Sequence, residues 1–364
     1  MEKRLIPEVR FKGFKGNWEE KKVDEILTVN YGKDYKLLEE GDVPVYGTGG
    51  IISYVNDYIS KEDSVGLGRK GTIDKPIQLK HPFWTVDTLF YIEKNEGNSI
   101  NFIYNLLTNI NWKKYDESTG VPSLSKKNII NIKCKIPKTD EQEKIGRLFE
   151  KLDQTIDLQG KVLEENKKLK GALLQKLFPK KGQKLPELRL KGFNGDWEEK
   201  KLEDICEINK GTQLNRNEVV ENGKYYHLNG GKEPSNYTDK WNVEANTISI
   251  SEGGNSCGYV NWNKERFFSG GHNYTLKLYS DCDLYLYQCL KAKESRIMRL
   301  RVGSGLPNIQ KRALSNFKIP IPSLPEQEAI GKLFRSLDEK IQREEERLEG
   351  YKTLKKSLLQ KMFV

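Results

Sequence analysis

Pro7-Glu8-Val9-Arg10-Phe11-Lys12-Gly13-Phe14 is written a second time as Pro186-Glu187-Leu188-Arg189-Leu190-Lys191-Gly192-Phe193. Trp18-Glu19-Glu20-Lys21-Lys22 returns unchanged as Trp197-Glu198-Glu199-Lys200-Lys201. Further on, Gly120-Val121-Pro122-Ser123-Leu124 answers Gly305-Leu306-Pro307-Asn308-Ile309, and Glu141-Gln142-Glu143 answers Glu326-Gln327-Glu328. Leu173-Leu174-Gln175-Lys176-Leu177-Phe178 closes the first copy, and Leu358-Leu359-Gln360-Lys361-Met362-Phe363 the second. The period is too long for a solenoid. Each half opens alike, closes alike and differs in the middle, the pattern of a common frame carrying two variable readers.

The closing segments read as long helices. Ile145, Phe149, Leu152, Ile156, Leu163, Leu169, Leu173 and Leu177 recur at spacings of three, four or their sums. Ile330, Phe334, Leu337, Ile341, Leu348, Tyr351, Leu354, Leu358 and Met362 do the same. That is a coiled-coil seam. Thr139-x-x-Gln142 and Ser323-x-x-Glu326 spell capping boxes at the two starts. Pro179 stops the first helix, and Pro325 sits where a first-turn proline is tolerated. Gln159, Asn166 and Glu344 interrupt the seam with polar side chains that would fix register. At about 1.5 Å per residue each rod would be roughly 55 Å long. The expected fold is α+β. A strand-rich domain over 1–140 leads into long helix one over 141–180. A second such domain over 181–322 leads into long helix two over 323–364. If the helices pair antiparallel, they hold the domains apart as a dumbbell, with Lys180 to Lys184 as linker.

The 364 residues exceed one ordinary domain. Aromatics at 10% are too many for a disordered chain. No run approaches 18 apolar residues, which excludes a membrane-spanning helix. Met1-Glu2-Lys3-Arg4 leads into no apolar stretch of a secretory signal. The five cysteines form no C-x-x-C pair. They point to a reducing cytoplasm rather than a disulfide framework or structural zinc. The formal charge of +10 is spread along the chain. The excess is +2 over 1–140, +4 over 141–185, +3 over 186–322 and +1 over 323–364. A spread excess suits a protein lying along a duplex through phosphate contacts.

Catalytic spellings are missing. There is no nucleotide-binding G-x-x-x-x-G-K-[ST] loop and no Gly-x-Ser-x-Gly elbow. The Asn/Asp-Pro-Pro-aromatic signature of an amino-methyltransferase is also absent. Gly47-Thr48-Gly49-Gly50 lacks the following Lys and reads as a turn. Pro7-Glu8 with Glu19-Glu20-Lys21 loosely echoes a metal-dependent nuclease, but with no third acid it reads as a charged, solvated edge. The middle regions carry short β-rich runs broken by Gly, Asn and Ser, as in Thr247-Ile248-Ser249-Ile250. Pro44 to Gly50 and Tyr225 to Gly231 occupy similar places in the two halves. Arg can pair with guanine O6/N7, and Asn or Gln with adenine N6/N7. The first region offers Tyr46, Thr48, Arg69, Lys70, Ser123, Lys126 and Lys127. The second offers Gln213, Asn215, Arg216, Asn229, Lys232, Asn255, Asn273, Asn308, Gln310, Lys311 and Arg312. Trp84, Trp241, Trp262 and Phe268 are expected in the core. A coiled-coil adaptor with two ligand-binding domains is the alternative that the residues leave open.

The whole chain resembles the specificity subunit of Type I restriction-modification systems. The resemblance rests on the opening from Pro7 to Trp18 and from Pro186 to Trp197. It continues through the stretches Ile136 to Asp153 and Ile319 to Asp338, and the L-L-Q-K-[LM]-F endings. It implies two target-recognition domains, each reading one half of a bipartite DNA site, and no enzymatic activity or cofactor in this chain. It implies double-stranded DNA as ligand, and two methyltransferase subunits that bind S-adenosylmethionine as partners. Motor-nuclease subunits using ATP and Mg would join them. By the same resemblance the helices, through residues such as Phe149, Leu152, Ile156, Leu163, Phe334, Leu337, Ile341 and Leu348, hold the partners or each other. The Gly120-Val121-Pro122 and Gly305-Leu306-Pro307 loops would face DNA.

Overall fold

The computed structural model describes residues 5–303, 305 and 307–364, so Met1 to Arg4, Ser304 and Leu306 lie outside it. Two compact units emerge: residues up to Lys161 with Glu346–Val364, and Val162–Glu345. Both long helices contribute residues to both units.

Unit one begins with β1 (Glu19–Lys22), α1 (Val23–Ile26), β2 (Leu27–Tyr31), β3 (Val43–Gly47) and β4 (Gly50–Val55). Then come β5 (Ser64–Gly68), β6 (Ile77–Leu79), β7 (Trp84–Thr85), β8 (Leu89–Lys94), α2 (Ile100–Asn109), α3 (Lys126–Ile130) and β9 (Lys133–Ile136). The start of α4 (Thr139–Lys176) follows. Among the described residues three sheets form, ordered β2-β8-β5-β6, β4-β3-β7 and β1-β9. Every residue of β5 is buried, so it is an inner strand that reads as Ser-Val-Gly-Leu-Gly rather than alternating. Thr48 and Gly49 make the two-residue turn between β3 and β4, as expected.

Unit two repeats the plan. It has β10 (Glu198–Lys201), β11 (Cys206–Lys210), β12 (Tyr225–Leu228), β13 (Asn236–Thr238) and β14 (Thr247–Ser251). It continues through β15 (Val260–Asn263), β16 (Phe268–Ser269), β17 (Asn273–Leu278), α5 (Asp283–Ala292), α6 (Glu294–Met298), α7 (Lys311–Ser315), β18 (Lys318–Ile321) and α8 (Leu324–Met362). The sheet orders are β11-β17-β14-β15, β13-β12-β16 and β10-β18. Even the short parallel pairs match, Val45 facing Trp84 in one unit and His227 facing Phe268 in the other. The repeat seen in the flanks therefore extends through the divergent middles.

The helix seam is real but shorter than its spelling. Phe149, Leu163 and Phe334 are buried; Leu152, Ile156, Leu337, Ile341 and Leu348 are half-buried. Leu169 and Leu354, expected inside, are 47% and 45% exposed. Polar neighbours set this. Asn166 takes a buried position and bonds its own helix at Val162 O, 2.9 Å, while Lys170 pairs with Asp338 at 2.5 Å. Within unit two, Lys167–Glu345 and Lys170–Asp338 run antiparallel; within unit one, Lys355 pairs with Asp153.

The capping boxes do not form as spelled. Thr139 Oγ1 donates to Gly97 O (2.6 Å), and Gln142 reaches Pro137 O and Asn98. Glu326 meets Ser323 only through its backbone N–H, which donates to Ser323 O (3.0 Å). It takes Arg189 through two bonds of 2.8 Å, and Glu141 takes Arg10 through two of 2.7 Å. Each arginine also donates to the turn before its tryptophan, at Gly16 O and Gly195 O. A bidentate, charge-assisted pair outcompetes a local cap. It fastens the repeated opening segment to the first turn of the long helix.

The repeated endings enter the same core clusters as the repeated tryptophans. In unit one Phe363 stacks on Phe102 and meets Trp18 edge-on at 6.2 Å. In unit two Phe178 stacks on Phe334 at 6.1 Å, and Trp197 meets Tyr285 edge-on. Val9 N donates to Lys361 O (3.0 Å), and Leu188 N to Lys176 O (2.9 Å).

Candidate nucleic-acid interface

Three backbone hydrogen bonds build the mouth of unit one just past the end of β5. Arg69 N donates to Thr88 O (2.8 Å), Leu124 N to Arg69 O (2.9 Å) and Gly71 N to Pro122 O (2.8 Å). They bring the 69–71 turn against the loop that ends at Ser123. Asp116 stiffens that loop by accepting from Ser118 N (3.0 Å), Ser118 Oγ (2.8 Å) and Ser123 N (2.9 Å). These donors hold its carboxyl below the usual aspartate range.

Arg69, Lys70, Ser123, Lys126 and Lys127, far apart in sequence, line one open groove. The Arg69 guanidinium lies 5.5 Å from the Tyr31 ring and donates to Asp87 O (3.1 Å). Lys126 Nζ lies 5.7 Å from the same ring. The ring face attracts both cations and steadies their stems. Thr48 sits beside Gly71, in the turn that follows Arg69 and Lys70. Tyr46 is half-buried, and burial with Tyr54 nearby raises its hydroxyl pKa. Sequence reasoning missed Tyr31, Asp87, Thr88 and Glu117 in this wall.

Unit two builds the same mouth with the same three bonds. Glu252 N donates to His272 O (2.9 Å), Ile309 N to Glu252 O (2.8 Å) and Gly254 N to Pro307 O (3.1 Å). Asn308 thus stands where Ser123 stands, and Lys311 and Arg312 open α7 as Lys126 and Lys127 open α3. Gln310 precedes that helix, and Asn308, Gln310, Lys311 and Arg312 are exposed. Gln213 borders Gly271 nearby. Asn255 is exposed in the adjoining turn, and Lys232 lies over the Tyr259 ring at 5.3 Å.

Other candidates are placed differently. Asn273 is 1% exposed and donates to Ser269 Oγ (3.0 Å), so its amide belongs to the sheet interior. Asn229 accepts from His272 N (3.0 Å), and Asn215 caps the turn at Arg216–Glu218, leaving Arg216 exposed. Of the aromatics expected inside, Trp84 and Phe268 are buried and Trp262 half-buried. Trp241 is 39% exposed with the Arg266 guanidinium 4.5 Å from its ring. An arginine stacked on indole satisfies that face without burial.

Glu19 to Lys22 lie along the exposed β1 edge, where Glu20 pairs with Lys133 (3.1 Å). Among the described residues no cluster of His, Cys, Asp or Glu is placed to hold a metal ion, and no helix is long and apolar enough to cross a membrane. All five cysteines are buried and unpaired; burial pushes the Cys134 and Cys206 thiols up to about 12.

The sequence profile of the type I restriction modification DNA specificity domain matches residues 15–168 and again 194–350. The chain belongs to this family. Each half thus carries one specificity domain, with its three-bond mouth inside it. A Mycoplasma genitalium protein assigned as a type I specificity subunit is 34% identical over 182 residues, 49% of this chain and 47% of that protein. A Mycoplasma pneumoniae counterpart is 32% identical over 182 residues. The chain spans about half the length of these two relatives. The specificity subunit of the MjaVIII type I restriction enzyme of Methanocaldococcus jannaschii is 24% identical over 331 residues, 82% of this chain and 75% of that one. The crystal structure of a type I S subunit from M. genitalium shares the fold over 99% of both chains, with a TM-score of 0.77 at 19% identity.

Proposed function

We propose that this chain is the non-catalytic DNA-reading subunit of a type I restriction-modification complex and reads an asymmetric bipartite site. Each unit takes one half-site. Lysines and arginines in and around each mouth bring the duplex in without reading it. Side chains at each mouth then meet base edges in the major groove. The observation that carries this reading is the pair of mouths: one backbone frame, held by three equivalent hydrogen bonds, with Arg69-Lys70 in one unit and Glu252-Gly253 in the other. A shared frame with different side chains suits two readers of different sequences.

Two methyltransferase subunits, which bring S-adenosylmethionine, and restriction subunits, which use ATP and Mg, are the proposed partners on double-stranded DNA. The α4 and α8 helices are their proposed seat and set the unread spacer. The test is single-molecule methylome sequencing of cells expressing the chain with its methyltransferase subunit. An N6-methyladenine motif of two unequal half-sites and a fixed gap is expected. No new methylation from an assembled complex would overturn the reading.

A further inference from the structure

The two mouths differ by an exchange of charge between strands. In unit one the last residue of β2 is Tyr31, and Arg69 lies over it. In unit two the last residue of β11 is Lys210, and Glu252 takes the place of Arg69. The equivalence is fixed by register: Tyr31 faces Phe90 across β8, and Lys210 faces Tyr274 across β17. The following glycine is required in both units. A β-carbon on Gly32 would fall 2.0 Å from Val86 O, and one on Gly211 2.1 Å from Gly270 O. Arginine over tyrosine has become glutamate beside lysine.

Glu252 is 8% exposed, and a buried carboxylate is costly unless paired. Lys210 Nζ bonds its Oε1 at 2.6 Å, and the Tyr274 hydroxyl lies 3.1 Å from the same oxygen. Oε2 has no hydrogen-bond partner among the described residues; His272 Nδ1 stands 3.7 Å away. The lysine side chain is 52% exposed. An ammonium has three N–H donors. Glu252 takes one, and the others have no partner among the described residues.

We propose that Lys210, held by Glu252, is the base-edge donor of unit two and the counterpart of Arg69 in unit one. The inference rests on the DNA-reading function proposed above. Its ligand is an acceptor edge in the major groove, guanine O6/N7 or thymine O4. Glu252 is a positioning residue: too buried to meet DNA, it fixes where the ammonium stands. A free lysine at that strand end would sample many rotamers, whereas a paired one offers its donors from one place.

The experiment is methylome sequencing with the assembled methyltransferase complex carrying wild-type chain, K210M, E252Q or K210M/E252Q. Methylation at one position of one half-site is expected to relax in K210M, discrimination there falling on the order of tenfold. The remaining positions of that half-site stay intact and report that unit two folds, and the other half-site reports that the complex assembles. E252Q relaxes the same position, and the double variant goes no further than K210M, because the two residues act as one unit. A wild-type motif retained by K210M, or methylation weakened equally at every site as from a lost phosphate contact, overturns the inference alone. A wild-type complex with no bipartite motif overturns the function and the inference with it.

Discussion

Phe363 lies stacked on Phe102 in unit one, ring centroids 5.3 Å apart and planes 21° apart, and Phe149 closes the cluster at 6.0 Å. The residue that follows α8 is thus a core element of the unit whose strands begin the chain. F363A should leave a cavity costing about 3–5 kcal/mol. Hydrogen exchange should show β2 and β8 losing protection while β11 and β17 keep theirs, and F178A should do the reverse. Equal loss in both units from either variant would contradict this.

Arg10 and Glu141 repeat the relation of Arg189 and Glu326. Glu141 and Glu326 are buried, so removing an arginine strands a charge. R10M should destabilise unit one by about 3–5 kcal/mol in urea denaturation. R10M with E141L should recover part of that, because two apolar side chains strand nothing. A double variant worse than R10M would show that the pair does more than satisfy its own charges.

Asp116 ties the loop that ends at Ser123. Its folded pKa is depressed by the hydrogen bonds it accepts. The contribution is therefore complete above the unfolded value of about 3.9 and lost as pH falls through the folded value. The Ser118 and Ser123 amides should stay protected at neutral pH and lose protection only in acid. In D116A they should be unprotected at every pH, with one half-site of the methylation motif degraded. Protected amides in D116A would mean the loop is held by other contacts.

The repeat made the frame legible, because tryptophan, the Arg–Glu pair and the phenylalanine endings are all fixed by packing. The grooves were legible only in part. Arg69, Lys70, Ser123, Lys126 and Lys127 stood out as donors and do converge. Tyr31 and Lys210 did not, since each ends a strand with no motif of its own. Aligning Tyr31-Gly32 with Lys210-Gly211 by the repeat would have exposed them. Glu252 was invisible as an acid among donors until its burial was known, and Asn273 misled because an amide that can read adenine can equally bond a neighbouring serine. The helix faces were misjudged at Leu169 and Leu354, where apolar spelling alone cannot say which stripe a partner helix covers.

Lys126 and Lys127 make no ion pair among the described residues and stand at the groove's edge. If they meet phosphates, replacing both with alanine should weaken binding on every sequence alike. The slope of log affinity against log salt should fall by about 0.9 per lost contact. Fluorescence anisotropy across a salt series measures it. An unchanged slope with a changed methylation motif would move these lysines from positioning to reading.

The spacer between half-sites should follow helix length. Residues near Lys161 in α4 and Glu346 in α8 lie where the chain passes from one unit to the other. Four residues inserted at both places add one turn, about 6 Å. At roughly 3.4 Å per base step this is at most two base pairs, and any tilt of the helices against the DNA shortens the projection. A turn of four residues also nearly preserves the face each seam residue presents, so both units should fold as before. Methylome sequencing should return the same two half-sites with a gap one or two base pairs longer. An unchanged gap would show that something other than the helices fixes the spacing; altered half-sites would show that the insertion disturbed the readers themselves.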